Sequence, residues 1–107
     1  MLPKRNRADK KAIEKIFKEG RILNSPNLTF KYFKNQSKEV RISFIAPKNI
    51  AKLAVKRNLL RRRGYIALEK HISRLPVGIT GIFIFKKYQD NISILENEVK
   101  TIFTKIN

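Results

Sequence analysis

The stretch Gly81-Ile-Phe-Ile-Phe85 is apolar on both of its alternating faces, and it constrains the fold more than any other part of the chain. A strand with two apolar faces has to be covered on both sides, so it must run through the middle of a sheet with other elements layered over it. Pro76 and Gly78 interrupt the chain just before it, which separates this short run from whatever precedes it.

The other segments carry periodic signals that can be placed around that strand. Asp9 is a suitable N-cap for a first helix, with Ile13, Ile16 and Phe17 at helical spacing, Glu14 four residues ahead of Lys18, and Gly20 at the expected end. Leu28 to Lys34 opens with apolar/polar alternation and Val40 to Ala46 alternates likewise. The polar connection from Asn35 to Lys38 makes an antiparallel hairpin of the two the expected arrangement. Pro47 ends the second strand. A basic helix follows from about Ala54 to Arg74, with Val55, Leu59 and Ile66 on its apolar face and Leu60 and Ala67 flanking them. Gly64 inside it costs about 1 kcal/mol relative to alanine. A last helix begins between Asn91 and Ser93, with Ser93 and Glu96 as a capping box and Leu95, Val99, Ile102, Phe103 and Ile106 as one stripe. The predicted order is α-β-β-α-β-α, an α+β sandwich of helices on a small mixed sheet. The strand before the basic helix should pair in parallel with the one after it. At 107 residues the chain supports a single domain, 1–107, preceded at Met1 to Ala8 by an extended basic arm around Pro3.

Charge narrows the function. Lys and Arg number 25 against 8 Asp and Glu, for a formal net charge of +17, and self-repulsion on that scale calls for an anionic partner. No apolar run is long enough for a membrane span and the N-terminal segment lacks the core of a signal peptide, so an intracellular, cytoplasmic, soluble protein is expected. The absence of cysteine removes disulfides, thiolate nucleophiles and cysteine-ligated metals. Protein-based phosphodiester cleavage needs clustered carboxylates or a histidine pair. Here the acidic residues suit helix caps and surface pairs, and the sole histidine, His71, suits the last turn of the basic helix. No catalytic or metal-ligating residue is therefore assigned.

Two surfaces remain. Lys48, Lys52, Lys56, Arg57, Asn58, Arg61, Arg62 and Arg63 fall in a segment without one acidic residue, a folded basic element fit for a phosphate backbone. If Ile13 and Phe17 border the strands, Thr29, Lys31, Arg41 and Ser43 occupy the strand face that Leu28, Phe30, Ile42 and Phe44 leave open. That would make an apolar-walled, basic groove suited to single-stranded RNA. The Gly78-Ile-Thr-Gly81 stretch is only superficially like an RNA-clamping GxxG loop and reads as a strand entry.

The basic segment Lys48-Asn-Ile-Ala-Lys-Leu-Ala-Val-Lys-Arg-Asn-Leu-Leu-Arg-Arg62 resembles the signature of the bacterial ribonuclease P protein family, a lysine-rich loop leading into Ala-Val-x-Arg-Asn-Arg. Leu2-Pro3-Lys4-x-x-Arg7 and Ile16-Phe17-Lys18-x-Gly20 are similar to the family's opening. The resemblance covers the whole chain. It implies an accessory subunit that binds a catalytic RNA and the 5′ leader of precursor tRNA, with cleavage carried by the RNA and magnesium held by RNA and substrate. It also implies a left-handed crossover between the parallel strands, against the usual preference. Arg57 and Asn58 match the first two motif residues, Lys48 and Lys52 the loop, and Phe17 a groove aromatic. Departures are Leu59 for the second motif arginine, Pro47 and Ala51 for serine and glycine, Ile13 for a frequent aromatic, and Lys31 for a frequent tyrosine. No obligate protein partner is expected. A ribosomal or other structural RNA-binding protein would share the charge and build, and a nucleoid-type DNA binder would prefer duplex and dimerise.

Overall fold

The computed structural model describes residues 10–35 and 38–106, so the N-terminal arm and the Asp9 cap lie outside the described residues. Its elements are α1 (Lys10–Glu19), β1 (Arg21–Asn24), β2 (Leu28–Lys34), β3 (Arg41–Ile45), α2 (Ala54–Glu69), a 3-10 turn (Ile72–Arg74), β4 (Ile79–Phe85) and α3 (Ile92–Ile106). The sheet order is β1-β2-β4-β3. The doubly apolar strand, β4, is interior as its sequence requires, antiparallel to β2 and parallel to β3.

That order corrects the expected hairpin. β2 and β3 are consecutive in sequence but do not pair, because β4 inserts between them. The antiparallel neighbour of β2 on its other side is β1, which the sequence reading missed: four residues with a largely exposed pattern carry no alternation to detect.

One face of the sheet is closed by aromatic packing. Phe44, Phe83 and Phe30 stand on one rung of three adjacent strands, with ring centroids 4.9 and 4.4 Å apart, and Phe103 of α3 lies 5.9 Å from Phe83. Offset stacks of this kind add to the area they bury. Gly64 explains itself here: a Cβ at that position would sit 2.6 Å from the Phe44 ring, so its helix-propensity cost allows α2 to approach β3. Gly81 does the same for Phe30, whose ring would lie 2.5 Å from an added Cβ. The Phe44 N–H on the edge strand β3 donates to the Tyr65 hydroxyl of α2 at 3.3 Å, which covers a backbone donor that an edge would otherwise expose.

The buried face of α2 is Leu60, Gly64, Tyr65, Ala67 and Leu68, not Val55, Leu59 and Ile66. Val55 and Ile66 are exposed, because Gly64, silent in any hydrophobic pattern, is the centre of the inward face. The helix also stops at Glu69, short of the expected Arg74, and a separate 3-10 turn follows. In α3 the stripe Leu95, Val99, Ile102 and Phe103 is buried as expected. Its cap is Asn91, whose Oδ1 accepts from Ile94 N at 3.1 Å. The expected capping box does not form, as Glu96 reaches His71 at 3.0 Å and Lys70 at 3.4 Å instead. Glu98, also on α3, is buried and ties down the β1–β2 turn by accepting from Asn27 N and Nδ2, both at 2.7 Å, and from the Ser25 hydroxyl.

Candidate RNA interface

Parallel pairing of β3 and β4 fixes where the basic segment lies. The chain leaves β3 at Ala46 and Pro47, on the edge where the strands' C-terminal ends gather, and α2 starts back from that edge. Between them, Ile50 N and Ala51 N donate to Pro47 O at 3.0 and 3.2 Å, and Ala51 is buried. Lys48 and Lys52 are thereby carried outward on a shaped turn, both exposed. Leu53, the N-cap of α2, offers no side-chain cap. Arg57 turns back toward the loop, its Nη1 donating to Ala51 O at 3.0 Å and Lys52 O at 2.8 Å.

Along α2, Lys56, Asn58 and Arg62 are exposed, while Arg57, Arg61 and Arg63 are half-buried. Arg61 donates to Asn58 Oδ1. At 3.6 residues per turn Val55, Leu59, Arg62 and Ile66 share the outward stripe, with Val55 65% exposed. Arg57 falls on the opposite side of the helix, toward the loop. Among the described residues, the ion pairs Arg41–Glu39 at 2.8 Å and Glu96 with Lys70 and His71 involve no cation of the 48–63 segment. The segment therefore presents a field that nothing in those pairs neutralises.

The second surface is the other face of the sheet, where α1 packs on β2 and β4. Its rungs read Phe33, Thr80, Arg41; then Ile22, Lys31, Ile82, Ser43; then Asn24, Thr29, Ile84, Ile45. Ile16 of α1 and Ile82 below it are buried. On either flank of Ile16, a cation meets a ring. Lys15 Nζ lies 4.8 Å from the Phe33 centroid, and Lys31 Nζ lies 4.6 Å from that of Phe17, which is 53% exposed. Lys15 and Phe17 thus sit over successive rungs, and α1 crosses the strands rather than running along them.

Of the groove residues expected from sequence, Phe17 and Lys31 meet beside α1, Thr29 stands on the next rung of β2, and Ile13 is a half-buried residue of α1. Ser43 is on the right rung but 8% exposed, and Arg41 stands one rung away, bonded through Nε and Nη2 to Glu39. Half-buried Ile84 and Ile45 extend the floor instead. They could be placed only from the β3–β4 register, which the expected hairpin concealed.

No three His, Asp or Glu side chains gather to hold a metal ion among the described residues. His71 is buried, with Nε2 3.0 Å from Glu96 Oε1. That hydrogen bond, followed by those from and the charge of Lys70, outweighs desolvation and holds the Glu96 carboxyl below its ordinary value. The cluster joins the end of α2 to α3, away from both surfaces. No helix among the described residues is long and apolar enough to cross a membrane.

A family model described as Ribonuclease P matches residues 2–107. The chain belongs to the ribonuclease P protein family. It is the protein subunit of an endoribonuclease ribonucleoprotein, and its partner is RNA. The fold agrees. The ribonuclease P protein from Thermotoga maritima superposes with a TM-score of 0.84 at 19% identity, over 96% of this chain and 99% of that one. The Staphylococcus aureus ribonuclease P protein gives 0.78 at 20% identity, over 94% of each chain. No curated protein sequence matches the chain.

Proposed function

We propose that this ribonuclease P subunit works through two surfaces with separate tasks. The exposed cations of the 47–53 loop and of α2, namely Lys48, Lys52, Lys56 and Arg62, hold the catalytic RNA together with Asn58 and the half-buried Arg63. The face beside α1, with Ile13, Phe17, Thr29 and Lys31, receives the 5′ leader of precursor tRNA. Lys31 contributes charge and Phe17 a ring on which a base stacks, the combination that single strands favour. The RNA subunit carries out cleavage, with magnesium held by that RNA and the substrate. The protein contributes binding energy and positioning.

The observation that carries this reading is the placement of the two surfaces. The parallel β3–β4 pair delivers the basic loop and the start of α2 to one edge of the sheet, while α1 leaves a polar, charged strip of sheet open beside it. About six phosphate contacts would lower affinity roughly 10³- to 10⁵-fold between about 50 and 200 mM salt. The test is 5′ cleavage of a precursor tRNA by a bacterial ribonuclease P RNA at low magnesium. It is run with this protein, without it, and with an unrelated protein of similar charge. Stimulation by this protein alone is expected; equal stimulation by the control would reduce the protein to a generic polycation.

A further inference from the structure

Arg57 matches the first arginine of the family motif, and in a basic helix such a residue is ordinarily read as one more phosphate contact. Its geometry here is different. The side chain lies on the side of α2 opposite the Val55, Leu59, Arg62 and Ile66 stripe, is half-buried, and donates from Nη1 to Ala51 O at 3.0 Å and to Lys52 O at 2.8 Å. These carbonyls belong to the two residues where the loop turns into the helix. The bonds are charge-assisted, and they tie the end of the loop to the first turn of α2.

We infer that Arg57 is a positioning residue: it clamps the 47–53 loop so that Lys48 and Lys52 are held outward for the RNA. Three further observations fit. Ala51 is buried, so the loop has an anchored end for the clamp to hold. Ile50 N and Ala51 N both bond Pro47 O, so the loop has one defined shape that the clamp completes. Lys48 and Lys52 are exposed, so their placement depends on the backbone that carries them. A guanidinium fork can grip two adjacent carbonyls from one nitrogen; an ammonium on a flexible stem keeps the charge but loses that fixed geometry. The clamp also suits a loop in which Pro47 and Ala51 replace serine and glycine, since a defined turn gains from being locked.

The inference rests on the reading of the loop as an RNA contact, but its first test needs no RNA. Hydrogen exchange of the free protein should show Arg57→Lys losing protection at Ile50 and Ala51 by at least tenfold, while Ile82 and Phe83 in β4 stay as protected as before. Unchanged protection at Ile50 and Ala51 would overturn the clamp, and loss extending through β4 would overturn its restriction to the loop. The second test measures affinity for a bacterial ribonuclease P RNA. Arg57→Lys and Arg57→Ala should weaken binding to within twofold of one another. Adding either to Lys48→Ala/Lys52→Ala should cost less than a further twofold, because the clamp acts through those lysines. A direct phosphate contact predicts the reverse: Arg57→Lys near the unmodified protein, and Arg57→Ala additive with the lysine pair. Failure of the unmodified protein to bind would count against the RNA reading alone and leave the exchange result standing.

Discussion

The two faces of the sheet are built from the same four strands and are opposite in character. Under α2 and α3 the rung Phe44–Phe83–Phe30 is sealed, and glycines at 64 and 81 mark where backbone and ring meet too closely for a side chain. Under α1 the rungs carry Lys31, Thr29, Arg41 and Phe33, and two rings are covered by lysines in place of other rings. A half-covered face with cations over aromatics gains little for stability: an exposed cation–π pair contributes about 0.5–1 kcal/mol. The difference separates a sealed aromatic face that holds the fold from a face lined by polar and charged side chains.

Substitutions should reproduce that division. Phe83→Ala, on the sealed face, is expected to cost about 3–5 kcal/mol in denaturant unfolding. Phe17→Ala, on the open face, should cost under about 1 kcal/mol while lowering affinity for a leader-bearing precursor by about 1–3 kcal/mol, the worth of one stacked base. A Phe17→Ala variant as unstable as Phe83→Ala would break the comparison. Gly64→Ala comes next. Its added methyl meets the Phe44 ring, and overpacking of about 1–3 kcal/mol should outweigh the roughly 1 kcal/mol gained in helix propensity. A more stable variant would show that α2 has room to move.

Smaller effects sharpen the picture at the periphery. Leu59→Arg restores the motif residue on the outward stripe. It should leave the thermal transition in place and steepen the salt dependence of RNA binding by about one unit of slope. The Glu96 carboxyl is held below its ordinary value by His71 first and Lys70 second, so its contribution is complete above the ordinary carboxylate range and lost as pH falls through the lowered folded value. Unfolding followed from pH 7 downward should show the Glu96→Gln variant and the unmodified protein converging in acid. Convergence at neutral pH would mean the pair is idle.

Much of this was legible in the chain. Gly81 to Phe85 declared a central strand because no other arrangement covers both its faces, and the α3 stripe from Leu95 to Phe103 could be read directly from its spacing. The errors have physical causes. β1 is too short to alternate. β3 pairs with a strand that arrives only after α2, and adjacency in sequence carries no information about that insertion. The inward side of α2 turns on Gly64, a residue without a side chain to register in any pattern. The cations of the interface were visible as a run, but the role of Arg57 was not. Whether a guanidinium faces phosphate or a carbonyl is decided by which side of the helix meets the loop.

The separation of tasks is tested most directly by comparing affinity for precursor tRNA with that for mature tRNA, each measured on the assembled ribonucleoprotein. One assembly carries Phe17→Ala/Lys31→Ala, another Lys52→Ala/Lys56→Ala/Arg62→Ala. The groove variant should assemble with the RNA normally and lose the preference for the leader. The α2 variant should assemble more weakly yet keep that preference once assembled. If both variants lower assembly and leader preference in the same proportion, the two surfaces are one, and the account is wrong.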